Sequence, residues 1–347
     1  MVAAAQIGVL AACVVLFVPM GMAGWHLSRN KMLFFSGVLF ITLAICIHIA
    51  PYFPAASHFL ISSLTPSSSS SPPFRPSSCL SFLHDVSFLP PVSPSSFDWL
   101  PNRSRSADCD FQKLSRSDAG ELLNGSWIVV SGDSQARLFV LALLRLLLDR
   151  SSVEVVEGDL FRRHSDYHIM ISEYAVKLDF VWSPYESNIT SVIQQFHDSI
   201  RLPEVLIFGS GLWHMLHTNN ASDYSEALAS VRRSAASMFY PSSSGLPSQP
   251  PHMFWLGMPT LVNSMLNTEE KKKKMSRKVW EAYEQEVHGS GLFMQSGGHF
   301  LLLDIGSLSW NCGEQCTIDG MHYKSIVYEA ALHVMFNALL IESQQKI

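Results

Sequence analysis

From about residue 125 onward the chain alternates short β-rich runs with longer segments of helical period. The runs 127–131, 176–182, 205–208, 253–256 and 300–304 are each bounded by glycine, proline or polar residues and read as strands. Between them, apolar residues recur every three or four positions over 135–148, 189–200, 224–239, 275–287 and 325–340, which read as helices. Largely apolar strands separated by helices predict a parallel sheet covered on both faces, because a strand buried on both sides has no polar face to alternate with. The expected fold is a three-layer α/β/α domain over residues 108–347.

The pattern differs before that domain. Residues 3–25 and 32–49 are nearly uncharged apolar stretches, each close to the roughly 20 residues that span a bilayer as a helix. The short loop between them carries Arg29 and Lys31, which the positive-inside rule places in the cytosol, so everything after residue 50 is expected on the lumenal or extracellular side. With no basic segment ahead of the first stretch, a two-span anchor fits better than a cleaved leader, and a single span preceded by an amphipathic segment is the alternative with the same lumenal outcome. Residues 62–97 are dominated by serine and proline, and 51–107 as a whole reads as an extended stem whose composition cannot bury enough apolar surface to order itself. The apolar patch 79–83 is the part of it best suited to docking on the domain, and 241–251 reads as a second Pro/Ser segment, a surface loop.

Charge and cysteine usage narrow the class. A net charge of −5 with no basic stripe excludes a nucleic-acid partner by the usual electrostatic footprint. The one lysine run, Lys271 to Lys274, follows Glu269 and Glu270 and reads as a solvated helix start. Cys79, Cys109, Cys312 and Cys316 lie beyond the apolar segments, an even set compatible with up to two disulfides in an oxidising compartment, in any of three pairings. They lack the spacing of a zinc site, and no metal is expected. Glycosylation sequons at Asn102, Asn124, Asn188 and Asn220 all fall on the expected lumenal side.

Chemistry enters at "VVSGDSQARLF", residues 129–139, where a strand gives way to a helix across Gly132-Asp133-Ser134. A hydroxyl at the C-terminal end of a strand and the start of a helix sits where an oxyanion is stabilised, yet a serine there is equally a helix cap. "CTIDGMHY" near the other end places Asp319 and His322 three apart in a turn before the last helix. An imidazole oriented by a carboxylate is the base that a serine nucleophile needs, so Ser134, His322 and Asp319 form a candidate triad. His214 and His217 are also three apart, but no third ligand accompanies them, and structural roles fit better.

Gly132-Asp133-Ser134 with a distant Asp319-x-x-His322 resembles the SGNH/GDSL hydrolase superfamily. With Arg137, "LDFVWSPY" at 178–185 and "EVLIFGSGLWHM" at 204–215, it is similar to the branch holding the plant trichome-birefringence-like polysaccharide O-acetyltransferases and the lumenal domain of animal sialate O-acetyltransferase. The likeness runs over about residues 108–342. It departs in two places: the family's His-Trp-Cys-Leu-Pro-Gly pattern is replaced by Asn311-Cys-Gly-Glu-Gln-Cys316, and the Gly-x-Asn-Asp block that supplies an oxyanion-holding Asn is replaced by Gly209-Ser-Gly211-Leu-Trp213. Oxyanion or donor contacts are therefore expected from the Ser134 N–H, from the backbone at Gly209 to Gly211, or from Arg137. Trp182, Tyr185 and Trp213 are candidates for a sugar-stacking platform.

The resemblance implies a Golgi-membrane O-acetyltransferase of the SGNH (flavodoxin-like) type acting on wall polysaccharide such as xyloglucan or xylan through an acyl-serine. A carbohydrate acetylesterase and a non-catalytic carbohydrate-binding component remain the alternatives. No bound cofactor is expected. The acetyl donor is a substrate derived from acetyl-CoA or an intermediate carrier, and because two anchor helices form no transport path, a multi-span acetyl-supply protein is the expected membrane partner.

Overall fold

The computed structural model describes residues 79–89, 98–101, Cys109, 111–197, Ser199, 201–239 and 250–345. The two expected membrane spans, the sequon at Asn102 and most of the segment 51–107 lie outside the described residues.

A two-stranded antiparallel ribbon, β1 (Val86–Leu89) and β2 (Asp98–Pro101), precedes the main sheet. That sheet is built from β3 (Trp127–Gly132), β4 (Tyr167–Ile171), β5 (Val176–Trp182), β6 (Val205–Gly209), β7 (His252–Leu256) and β8 (Leu301–Leu303), in the order β4-β5-β3-β6-β7-β8. All neighbours are parallel except β4, which turns back on β5 at one edge. The helices are α1 (Arg116–Leu122), α2 (Ser134–Leu147), α3 (Arg150–Leu160), α4 (Glu186–His197), α5 (Leu212–His217), α6 (Ala221–Ser237), α7 (Glu269–Lys274), α8 (Arg277–Gly289), α9 (Ile305–Cys312) and α10 (Ser325–Gln345).

The strands send successive side chains into two cores. Ile128, Val130, Val205 and Ile207 pack beneath α2 and α10, while Val129, Leu206 and Phe208 pack beneath α4, α6 and α8. This is the three-layer α/β/α arrangement that the apolar runs predict. Within α10, residues Ser325–Glu342 have a mean hydropathy of 1.3 and are long enough to cross a membrane, but 72% of that stretch is buried in the domain. Val327, Tyr328, Ala331 and Met335 are fully enclosed, so α10 is a core helix.

The structure adds elements that the sequence pattern does not show, α1, α3 and α5 among them. β4 is an edge strand whose alternate residues face solvent, so it carries too few apolar positions to stand out. α9 reads as a turn-rich stretch because glycine, serine and asparagine fill half of it. The boundary of the domain also moves. Within the segment 51–107, read as stem, the apolar patch 79–83 docks as expected and the ribbon after it also belongs to the folded unit: Leu83, Val86 and Trp99 are buried, and Cys79 is joined to Cys109. Trp99 sets its ring edge against His333 at 5.0 Å and under the Lys113 ammonium at 5.0 Å, while His84 Nε2 accepts the Asp304 N–H at 3.0 Å. A few well-placed large side chains suffice to dock a Pro/Ser-rich strand that cannot fold by itself. The lysine run is the solvated helix expected of it: Thr268 caps α7, and Lys272 and Lys274 pair with Glu269 and Glu270 at 2.8 Å.

Trp99→Ala is expected to lower stability by about 3–5 kcal/mol, the usual cost of emptying a buried tryptophan site. Thermal unfolding tests this; an unchanged midpoint would show that the ribbon is not part of the cooperative unit.

Candidate active site

The connections set where a ligand would bind. From β3 the chain crosses to β5 on one side, whereas β6 leads to β7 on the other, so the switch point lies between the C-terminal ends of β3 and β6. Ser134 opens α2 immediately after β3. The cap of α2 is Asp133, whose carboxylate accepts the Gln135 N–H at 2.9 Å. The serine is thereby released from capping, and its hydroxyl is half-buried at the crevice. Gly132 permits the close approach of the two strands here, since a Cβ on it would lie 2.5 Å from the Gly209 carbonyl oxygen.

The loop 317–323 carries the other two groups. An antiparallel bridge between Thr317 and Tyr323 closes it, and Ile318 N–H donates to His322 O at 2.7 Å. Gly320 turns the chain with φ of 86°, and a Cβ there would lie 2.5 Å from Val262 O, so only glycine fits. Asp319 Oδ1 accepts the N–H groups of Met321 and His322 at 3.1 and 2.8 Å, and Oδ2 lies 2.8 Å from His322 Nδ1. Burial alone would raise Asp319, but the His322 ring and these N–H donors outweigh it and hold the carboxyl well below its usual range. An ionised carboxylate only accepts, so Nδ1 carries the proton and Nε2 presents its lone pair. That nitrogen is 2.9 Å from Ser134 Oγ. Residues 188 apart in sequence thus form one hydrogen-bonded chain from Ser134 through His322 to Asp319.

Gln135 ties the two segments together. Its Nε2 donates to Met321 O at 3.0 Å, and its Oε1 accepts the Tyr328 hydroxyl from α10. The Cys312–Cys316 disulfide closes the turn three residues ahead of Asp319. Nothing in the local sequence marks Gln135 except its place after the serine, because its role depends on partners far along the chain.

Trp182, Tyr185 and Trp213 come together as one aromatic wall. The Trp182 and Trp213 rings meet edge to face at 5.7 Å, and Tyr185 meets Trp213 at 6.2 Å. His164, which shows no pattern in the sequence, stacks on Trp182 at 4.9 Å. Arg137 is not a surface helix residue; it is 6% exposed, with its guanidinium 4.8 Å from the Trp182 ring and 5.2 Å from Phe180, and with Nη2 donating to Ser165 O. Cation–π contacts engage it as the floor of the aromatic wall, and no contact aims it at Ser134. Gly209 lies across from Gly132, and Gly211 caps α5 at φ 124°, where a Cβ would press on Met258 Sδ and Tyr224 Oη.

Buried polar groups gather beneath the nucleophile turn. Asp133 and Glu186 are each 2% exposed, Ser131 Oγ is buried without a hydrogen-bond partner, and the Ser210 hydroxyl lies beside the Glu186 carboxyl. Desolvation pushes Asp133 up to about 6 despite the Gln135 N–H, and it pushes Glu186 up to about 7, with the Asp133 charge adding to the rise. His214, by contrast, is a core histidine with Nδ1 2.9 Å from the Tyr283 hydroxyl. Among the described residues no group of three or more His, Cys, Asp or Glu could hold a metal. Asn124, Asn188 and Asn220 are exposed, and the Asn220 Oδ1 caps α6.

Two measurements probe this arrangement. A carboxyl whose folded pKa lies above its unfolded value destabilises the fold once it ionises. Glu186 therefore makes stability fall as pH rises from about 4.5 to about 7, with no further change above that. Asp319 acts oppositely, its contribution being present above about pH 4 and lost below it. The melting temperature is thus expected to decline from pH 5 to pH 7.5, with Glu186 contributing on the order of 3 kcal/mol and Asp133 adding to the fall up to about pH 6, and Glu186→Gln to reduce the decline; an identical slope in that variant would contradict the assignment. Gln135→Leu is expected to weaken the tie between α2 and the 317–323 loop, leaving buried Met321 O unpaired at a loss of about 1–3 kcal/mol. Accelerated amide hydrogen exchange at residues 319–322 is the readout.

Comparison with known proteins follows the same lines. No family model matches the chain. Among solved structures, TesA is similar at 15% identity with a TM-score of 0.34, covering 61% of this chain and 97% of its own. Protein ALTERED XYLOGLUCAN 9 of Arabidopsis thaliana is 48% identical over 373 aligned positions, covering 100% of both chains. The chain belongs to the altered xyloglucan group of plant proteins and, through it, to the SGNH superfamily.

Proposed function

We propose that the protein transfers acetyl groups to a plant cell-wall polysaccharide, xyloglucan or xylan, by way of an acetyl-serine at Ser134. The single observation that carries this reading is the unbroken chain from Ser134 Oγ to His322 to Asp319 at the switch point of the sheet. An acyl-transfer or ester-cleaving chemistry agrees with the family, and the name of the Arabidopsis relative points to xyloglucan.

In the first step Ser134 Oγ attacks the acetyl carbonyl of the donor while His322 Nε2 takes the hydroxyl proton. Asp319 holds the Nδ1–H and offsets the imidazolium charge. The oxyanion forms beside the first turn of α2, whose N–H groups, that of Ser134 included, have no partner within the helix. Breakdown returns the proton from His322 to the leaving group and leaves the acetyl ester on Ser134. In the second step His322 deprotonates a sugar hydroxyl, which attacks that ester and carries the acetyl group away, restoring the serine. Trp182, Tyr185 and Trp213 offer the sugar apolar faces at the end of β5. Water in place of the sugar would make the same machinery an acetylesterase, so acceptor binding decides the outcome.

The setting we propose is the Golgi membrane, with the domain in the lumen and a multi-span partner delivering acetyl groups. Fluorophosphonate labelling followed by mass spectrometry is expected to place the adduct on Ser134. Ser134→Ala should remove the adduct and lower transfer by about a thousandfold or more. Acetate release from acetylated xylan without transfer to added oligosaccharide would assign an esterase instead. Full restoration of wall acetylation by the Ser134→Ala chain in a deficient plant would leave only a binding role.

A further inference from the structure

A cavity of about 470 Å³ opens between α8 and α9, within the range of about 300–1,000 Å³ typical of ligand pockets. It does not belong to the triad. Arg277, Trp280, Glu284 and His288 line it from one stripe of α8, at helical spacings of three and four. Asp304 and Trp310 face them from α9. A gap left by imperfect core packing would be apolar and dry, whereas this one is walled by two carboxyl groups, a histidine, an arginine and two indoles.

Its groups are arranged for a ligand that is neutral overall and rich in hydroxyls. Glu284 lines the cavity with Oε2 3.6 Å from His288 Nε2, and its Oε1 is buried with no partner, an acceptor left unmet in the wall. Asp304 accepts from Ser307 N and Oγ at 2.9 and 2.6 Å, which fixes its carboxylate in place. Positive and negative side chains are mixed in its wall, disfavouring a phosphate-rich or strongly cationic ligand. Trp280 is pinned by its Nε1 donating to Pro259 O at 3.0 Å, while Trp310 is 62% exposed with Arg277 5.8 Å from its ring centre. An exposed indole that no apolar neighbour covers, next to fixed carboxylates, has the amphipathic character that a pyranose ring presents in return: an apolar face and a rim of hydroxyl donors.

The cavity also lies on the reacting edge of the sheet. Asp304 follows the C-terminal end of β8 as Ser134 follows that of β3, three strand spacings or about 15 Å apart. The segment that walls it at Thr260 and Leu261 continues into Val262, whose N–H donates to Gly320 O at 2.8 Å, and Tyr323 Oη donates to Thr260 O at 2.7 Å. The wall is therefore hydrogen-bonded directly to the loop that carries Asp319 and His322.

We infer that the cleft between α8 and α9 is a second glycan-binding site, taking an uncharged pyranose segment of the polysaccharide at a distance from the reacting serine. Trp310 stacks on the ring, and Glu284 and Asp304 accept its hydroxyls. A polymer held there lies along the same edge as the Trp182 and Trp213 wall, with Ser134 between the two.

Isothermal titration of unacetylated xyloglucan and xylan oligosaccharides into the full chain, in a Ser134→Ala background, tests this independently of any catalytic activity. Trp310→Ala is expected to weaken binding at least tenfold and Glu284→Gln by about tenfold, while Trp182→Ala leaves a saturable site. Trp310 is largely exposed and its replacement leaves the fold intact, so the fluorophosphonate labelling rate of Ser134 in the otherwise native chain should be unchanged. Undiminished affinity in both Trp310→Ala and Glu284→Gln overturns the inference, as does loss of all binding in Trp182→Ala alone.

Discussion

The bond from Gln135 to Met321, backed by Tyr328, is the constraint on which the site rests. A serine at the start of α2 and a histidine near the end of the chain share no local structure. They meet because α2 and α10 cover the same face of the sheet and because one glutamine side chain spans the space between nucleophile turn and histidine loop. Each loop is otherwise rigid by itself: Asp133 caps α2, and Asp319 gathers two backbone N–H groups of its own turn. Gln135 joins two preorganised halves, and a hydrogen bond of 2.9 Å between Ser134 and His322 results without either loop having to bend.

The rest of the site follows from sheet order. Because β3 and β6 diverge to opposite neighbours, their C-terminal ends leave a crevice, and every group of interest lies along that edge: aromatic rings beyond β5, the nucleophile beyond β3, Gly211 beyond β6 and the acidic cap of α9 beyond β8. Helix N-termini face the same edge, which favours negative charge developing there.

Much of this was legible before any coordinates. Apolar runs mark the parallel strands because they are buried on both faces, and the order Gly-Asp-Ser followed late by Asp-x-x-His marks the serine, histidine and aspartate that the fold brings together. What stayed hidden depends on distant partners. Whether Ser134 or Asp133 caps α2 turns on which side chain folds back onto a free N–H of the first turn, and the fold gives that place to Asp133. Arg137 looked equally at home on a surface, and only the rings of Trp182 and Phe180, 45 and 43 residues later, explain its burial. Trp99 sits among prolines and serines, and its docking partner His333 comes from the last helix.

The buried polar groups beneath the Gly132-Asp133-Ser134 turn carry an evolutionary consequence. Ser131, Ser210, Asp133 and Glu186 place polar atoms where apolar ones would pack better, so the least favourable patch of the core lies directly under Ser134. A selection for heat resistance alone would collect its first substitutions there, and those are the positions nearest the chemistry. Robustness and reactivity are therefore drawn from the same few residues, and a lineage that keeps them trades melting temperature for a site that can still react.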